Sequence, residues 1–165
     1  RQALKLYQLV RELADLSGDE IVWDLYSGTG TIALFVANDC KQVFAFESNE
    51  SAVRDGKNNA RDHHISNIQF IAGDLLQHLE VIQPKPDVLI TDPPRAGMHP
   101  RVTEYISNLK AKRVVYVSCN PTTLARDLVL LKKNYHISAV QPVDMFPQTY
   151  HIETVVQLTL KDSLY

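Results

Sequence analysis

The sequence predicts an α/β fold: a seven-stranded, mostly parallel sheet with helices on both faces, finished by an antiparallel hairpin. Three observations carry this. Short β-branched runs alternate with helix-compatible stretches over most of the 165 residues, and regular alternation of that kind means parallel strands joined by crossover helices. The strand-to-helix junctions hold the glycines, prolines and acids, as in "DLYSGTG" (24–30), "TDPPRAG" (91–97) and "VSCNP" (117–121). The last two strands follow one another with no helix between them, which favours a hairpin at one edge.

Leu6, Leu9, Val10, Leu13 and Leu16 fall at helical spacing over 3–16, and Gly18 is the stop. "IVWDLY" (21–26) is a short apolar strand that enters the glycine-rich turn, and 30–38 read as a helix. "QVFAFE" (42–47) is the second strand, and the polar stretch after it is helix-compatible with Ser48 or Asn49 as its cap. "IQFIAG" (68–73), a short helix over 75–81 and "DVLITD" (87–92) continue the alternation. A helix near 100–110, the strand "RVVYVS" (113–118) and a helix from Pro121 to about Lys133 follow. "HISAVQPVD" and "TVVQLTLK" (154–161) are the closing strands. Seven strands with this tail give the outline of the class I methyltransferase sheet, a Rossmann-like arrangement. Ligands in such sheets bind at the carboxyl ends of the strands.

Composition narrows the classes. An apolar content of 45% and a charged content of 22% are ordinary for a globular chain, and no apolar run approaches a membrane span. The net charge of −2 gives no footprint of a nucleic-acid grip by this domain alone. Cys40 and Cys119 make no metal-ligand spacing, the six histidines contain no H-x-x-x-H, and His63-His64 reads as a solvated helix end, so no metal site is expected. A reducing cytoplasm is the expected setting. The chain begins at Arg1, inside a helix and without methionine, and residues 1–165 are therefore expected to form one domain of a longer protein.

At the first strand end, Gly28 and Gly30 allow close backbone approach to a ligand, just before a helix N-terminus. Taken alone, this turn with Glu47 downstream also fits a dinucleotide site, with Glu47 on ribose hydroxyls. Asp24 and Asp74 separate the two. Asp24 lies where a carboxylate can face an aminoacyl ammonium, and Asp74 where it can accept from an adenine amino group; a helix cap is the plain alternative for Asp74. Together these residues favour S-adenosylmethionine. Asp92 is held beside the expected methyl position by the stiff Pro93-Pro94 pair. Amino-nitrogen methyltransferases place an aromatic after such a pair, whereas Arg95 stands here.

Cys40 reads as a small buried apolar residue. Cys119 differs: it ends the fifth strand, with Asn120 a good N-cap and Pro121 a good first helical residue, so the helix dipole favours its thiolate. A thiolate has a use in methyl transfer to carbon. The C5 carbon of a pyrimidine is a poor nucleophile until something adds at C6, and the C5 proton must then leave to a general base. Glu153, where the chain enters the seventh strand, is the candidate base, and His151 is the second choice.

"DLYSGTG", "DPPRAG", "SCNP" and "MFPQTYHIETV" (145–155), in this order and over essentially the whole chain, resemble the RNA uracil-5-methyltransferases that make 5-methyluridine in transfer and ribosomal RNA. The resemblance implies Cys119 as nucleophile and Glu153 as the base. It also implies cofactor contacts from Tyr26, Thr31, Glu47, Asp74 and Asp92, beside Asp24, Gly28 and Gly30. Ser27 replaces the family's usual cysteine, and Gln148 stands where histidine is frequent. The family's N-terminal RNA-binding β-barrel, often with iron–sulfur cysteines nearby, and an upstream cofactor-contacting glutamine have no counterpart in these residues. The chain thus resembles the catalytic domain alone, with an RNA partner gripped largely elsewhere. Three other readings stay open: a nucleic-acid N-methyltransferase of the same fold, a dinucleotide-dependent oxidoreductase, and a non-catalytic binding module.

Overall fold

The structure is a computed structural model that describes residues 2–145 and 152–161. In chain order it runs α1 (Gln2–Ala14), β1 (Ile21–Leu25), α2 (Thr31–Val36), β2 (Gln42–Glu47), α3 (Glu50–Asp62), β3 (Ile68–Ala72) and α4 (Leu75–His78), then β4 (Val88–Thr91), α5 (Pro100–Leu109), β5 (Arg113–Ser118), α6 (Pro121–Leu131), β6 (Tyr135–Val143) and β7 (Glu153–Leu160). Each expected element is present. The helix expected over 30–38 gives way to a 3-10 turn at Ala37–Asp39. The one expected over 75–81 stops at His78, whose carbonyl then takes the turn amides of Val81 and Ile82.

The strands form one sheet in the order β3-β2-β1-β4-β5-β7-β6. The first five strands are parallel, and β7 runs antiparallel to both neighbours. The closing hairpin is therefore folded inward, with β7 rather than β6 against β5. All carboxyl ends of the parallel strands meet on one rim, and β7 begins on that rim.

Both faces of the sheet are covered at its centre, which is why β1 is buried at every position rather than alternating, while β6 at the edge is mostly exposed. Val22, Val43, Val115 and Val155 face a layer built with Leu6, Val10 and Val36. Trp23, Phe46, Leu89 and Tyr116 face the other layer, with Ile106, Leu124 and Leu131. Trp23 is the largest of the fully buried side chains, and truncation to alanine is expected to cost about 3 to 5 kcal/mol. Helix α1 lies across β5 and β7: Arg113 Nε donates to the Ala14 carbonyl at 3.0 Å and Gln157 Nε2 to the Leu13 carbonyl at 2.7 Å.

Of the helices that leave the rim, α3, α4, α5 and α6 start from side-chain caps, whereas α2 follows Gly30 without one. Asn49, Asp74, His99 and Asn120 each accept from an amide of the first turn, two residues on, and Pro100 and Pro121 occupy first-turn positions that need no donor. Among the described residues no helix is long and apolar enough to cross a membrane.

Candidate active site

The turn after β1 is made possible by backbone that favours glycine. Gly28 has φ 55° and Gly30 φ 77°, and a Cβ on Gly30 would lie 2.6 Å from the Phe70 ring. Tyr26 adopts φ 61° without that freedom, a strained conformation held between the two cavities described below. Glu47, at the end of β2, braces the turn: its Oε2 accepts from Gly28 N at 2.9 Å and its Oε1 from Asn49 N at 2.8 Å. Thr31 opens α2 from an exposed position.

Asp24 is the anomaly. It is 1% exposed, and its Oδ2 accepts from Ala33 N at 3.1 Å, while its Oδ1 has no partner. Burial, reinforced by Asp92 and Glu47 and opposed by the Ala33 amide, pushes its carboxyl up to about 8. A buried oxygen without a donor costs free energy unless a proton or a cation answers it. Asp92, after β4, keeps an open surface on the rim, yet the protein mass around its carboxyl and then the Glu153 carboxylate push it up to about 6.

Two cavities meet at Tyr26. One, of about 250 Å³, is walled by Phe46, Leu75, Leu76 and Val102 and edged by Glu47, Asp74 and His99. The other, of about 230 Å³, is lined by Asp24, Ser27, Gly28, Thr31 and Asp92, together with Tyr7 from α1. The rim thus brings together every cofactor-site residue expected from the sequence except Gly30, which shapes the turn from a buried position. Asp74 also fills its alternative role, since its Oδ1 caps α4 through Leu76 N at 2.8 Å.

His99, Val102 and Tyr7 were not legible as site residues. His99 stands before a proline, where capping is a sufficient reason for it. Its Nδ1 does accept from Arg101 N, at 3.2 Å, which leaves the ring proton on Nε2.

Cys119 is half-buried, one residue past β5 and one before the cap of α6. In the antiparallel ladder Ser118 stands opposite Thr154, so the next residues outward on the two strands are Cys119 and Glu153. Glu153 is also close enough to Asp92 to raise its carboxyl. A line of acids therefore connects the Asp24 cavity to the Cys119 edge. His151 and Gln148 lie outside the described residues. Cys40 is buried as expected, and burial, with Asp39 and Glu20 adding to it, pushes its thiol up to about 11.

The strand order, with β7 inserted antiparallel beside β5, defines the class I methyltransferase fold. The precorrin-6y C5,15-methyltransferase of Geobacter metallireducens shares that fold at only 15% identity, with a TM-score of 0.80 over 94% of this chain and 88% of that one.

The family model described as tRNA (uracil-5-)-methyltransferase matches residues 3–161, and the chain belongs to that family. A Bacteroides thetaiotaomicron protein described as an uncharacterized RNA methyltransferase is 53% identical over 164 residues, covering 97% of this chain and 36% of the relative. A Clostridium tetani relative with the same description is 47% identical over 163 residues, again covering 36% of its length. The Pyrococcus abyssi tRNA (uracil-54, C5)-methyltransferase, solved with S-adenosyl-L-homocysteine, is 37% identical with a TM-score of 0.82, over 96% of this chain and 38% of that one. The chain spans just over a third of the length of these relatives.

Proposed function

We propose that residues 1–165 are the catalytic domain of a longer cytoplasmic RNA methyltransferase. Its reaction is methyl transfer from S-adenosylmethionine to C5 of a uridine in tRNA or rRNA, through a covalent bond between Cys119 and C6. The observation that carries this reading is the register between β5 and β7, which sets Cys119 and Glu153 at neighbouring strand ends beside an acid-lined cleft.

The residues fit the cofactor. Asp24 Oδ1 is a buried oxygen that lacks a donor, and an ammonium is the group that answers it. The Phe46, Leu75 and Val102 walls suit a purine, with Asp74 and Glu47 at the edge to accept from an amino group and from ribose hydroxyls. Tyr26, Gly28 and Thr31 line the turn between these two ends, and Asp92 lies nearest the Cys119 side. The cofactor supplies an electrophilic methyl group on a sulfonium sulfur.

The protein's part is to make C5 able to take that methyl. The Cys119 thiolate adds to C6, and the C5–C6 electron pair moves toward C5 and O4. C5 then bonds to the methyl carbon as that carbon's bond to the sulfonium sulfur breaks, its electron pair staying on sulfur to leave the neutral thioether. Glu153 accepts the C5 proton, the C5–C6 double bond reforms, and the Sγ–C6 bond breaks to return the thiolate.

Intact-protein mass spectrometry with S-adenosylmethionine and 5-fluorouridine RNAs tests this, because fluorine at C5 cannot leave as a proton does. The full-length protein is expected to stall as a covalent RNA adduct that disappears in Cys119→Ala. On ordinary uridine, Glu153→Gln is expected to accumulate the methylated adduct. An adduct that persists in Cys119→Ala, or none in a cofactor-bound wild type, overturns the reading.

A further inference from the structure

The loop between Asp92 and Met98 is held by side chains from one helix, and that helix is the one Cys119 precedes. Asp127 is 1% exposed in the second turn of α6, and its Oδ2 accepts from Met98 N at 2.9 Å and from Tyr116 Oη at 2.7 Å. Its Oδ1 accepts from Arg126 Nε at 2.9 Å, and Arg126 Nη2 lies 2.8 Å from the same oxygen. That Nη2 also donates to the carbonyls of Ala96 and Met98, both at 3.1 Å. One turn earlier, Asn120 Nδ2 donates to the Arg95 carbonyl at 3.1 Å and Thr123 Oγ1 to the same oxygen at 3.3 Å.

Four consecutive loop peptides, from Arg95–Ala96 to Met98–His99, are thus tied to α6 or its cap. The loop's shape is matched to the tie from its own side: Gly97 sits at φ 78°, and a Cβ there would come 2.5 Å from Arg126 Nη2 and 2.9 Å from Asp127 Oδ2. Burying a carboxylate is costly unless it is well paired. This one is fully partnered, yet a plain apolar helix contact would hold α6 on the sheet as well. The charge is shared between the loop, through Met98 N, and β5, through Tyr116 Oη.

We propose that Asp127 and Arg126 are positioning residues that fix Asp92 relative to the Cys119 thiol, so that cleft and nucleophile move as one body. This rests on the reading of Cys119 as the nucleophile. The base target must meet Cys119 on one side and the cofactor beside Asp92 on the other, and displacement of about 1 Å in such an arrangement costs rate far more than binding. Neither residue touches the reacting atoms.

The test is steady-state methylation by the full-length protein with Arg126→Ala, Asp127→Ala, Asp127→Asn and Gly97→Ala. The Arg126 head is half-exposed, so its loss should leave the fold intact. We expect kcat to fall about tenfold or more in Arg126→Ala and Gly97→Ala, with KM for RNA within about twofold of wild type. Asp127→Asn keeps an oxygen for Met98 N and Tyr116 and is expected to recover part of the rate lost in Asp127→Ala. Hydrogen exchange should show the Met98 amide opening faster in Asp127→Ala while β4 and β5 stay protected. If the wild type is active and Arg126→Ala keeps its kcat, or loses kcat only in proportion to a lower Tm, the positioning role falls alone. If the wild type methylates no uridine, the functional reading falls and takes the positioning role with it.

Discussion

Strands β1 and β4 each have an acid at both ends, and the two ends behave oppositely. At the starting edge of the sheet, Glu20 accepts from Ser17 N at 2.9 Å, Ser17 Oγ at 2.7 Å and Gly18 N at 3.1 Å. Burial works to raise its carboxyl, but these hydrogen bonds outweigh it and draw it down to about 2. Asp87 likewise takes Ile21 N at 3.0 Å and pairs with Lys112 at 3.0 Å, and it is held below its ordinary value, first by the Ile21 amide. At the finishing edge, Asp24 and Asp92 are pushed up to about 8 and about 6, with burial the first cause in both. The same residue type on the same strands is satisfied where it serves the fold and left wanting where a ligand is expected. Raised carboxyls gathered at one rim are what the proposed cofactor site leads one to expect.

The largest effect expected from this contrast is on cofactor binding. Asp24 has a folded value near 8 against an ordinary 3.8, so the ligand-free fold holds its proton more tightly than the unfolded chain does. That stabilisation is complete at low pH and is lost as the pH rises toward 8. An ammonium ligand binds the ionised form, so binding near neutral pH should release a proton. Calorimetry with S-adenosylhomocysteine in buffers of different ionisation enthalpy should detect that proton. Asp24→Asn should remove the release and weaken binding about 10- to 100-fold, while the ligand-free protein becomes no less stable at pH 8. Tight binding without proton exchange would mean that Asp24 is a structural acid after all.

How much of this contrast could be read from the sequence follows the range of the interactions. Strand and helix positions are local, set by runs such as "VVYVS" and by caps such as Asn120-Pro121, and they appear where expected. The acids on the rim were legible because they follow strands directly. The insertion of β7 beside β5 was not, because nothing local distinguishes it from β6 there, and that pairing is what brings Glu153 to Cys119. His99 and Tyr7 enter the cleft through tertiary packing of α5 and α1, which no motif announces. Asp127 carries no local signal that sets it apart in its helix, and its burial depends on a loop 29 residues upstream. Glu47 was expected to contact the cofactor; its bond to Gly28 N adds a bracing role that only the folded turn displays.

A smaller effect, on stability alone, is expected at the starting edge. Glu20→Gln removes the charge from three hydrogen bonds at a partly solvated site, and a loss of about 1 to 2 kcal/mol is expected after allowing for screening. The sign is opposite to that of Asp24: the Glu20 contribution is present above its ordinary 4.5 and fades as the pH falls toward 2. Urea unfolding at pH 7 and pH 3 should therefore show the variant's deficit shrinking in acid, with cofactor affinity unchanged at pH 7. A change in affinity would show that the two ends of β1 are not independent.

The smallest effect tests the step from one end of the cleft to the other. Asp92 is raised first by burial and then by the Glu153 carboxylate, so only the second part disappears in Glu153→Gln. Carbon-detected NMR of the Asp92 carboxyl should give a midpoint near 6 in the wild type and a lower one in the variant, though still above 3.8 because burial remains. The shift is modest, but it measures distance in solution, since the coupling between two carboxylates falls as they separate. If the midpoint does not move, Glu153 lies too far from the cleft to reach a proton on a base bonded to Cys119, and His151 becomes the better candidate. If it moves, Glu153 is within reach of the reacting carbon, and the acids at this end of the sheet act on the same substrate.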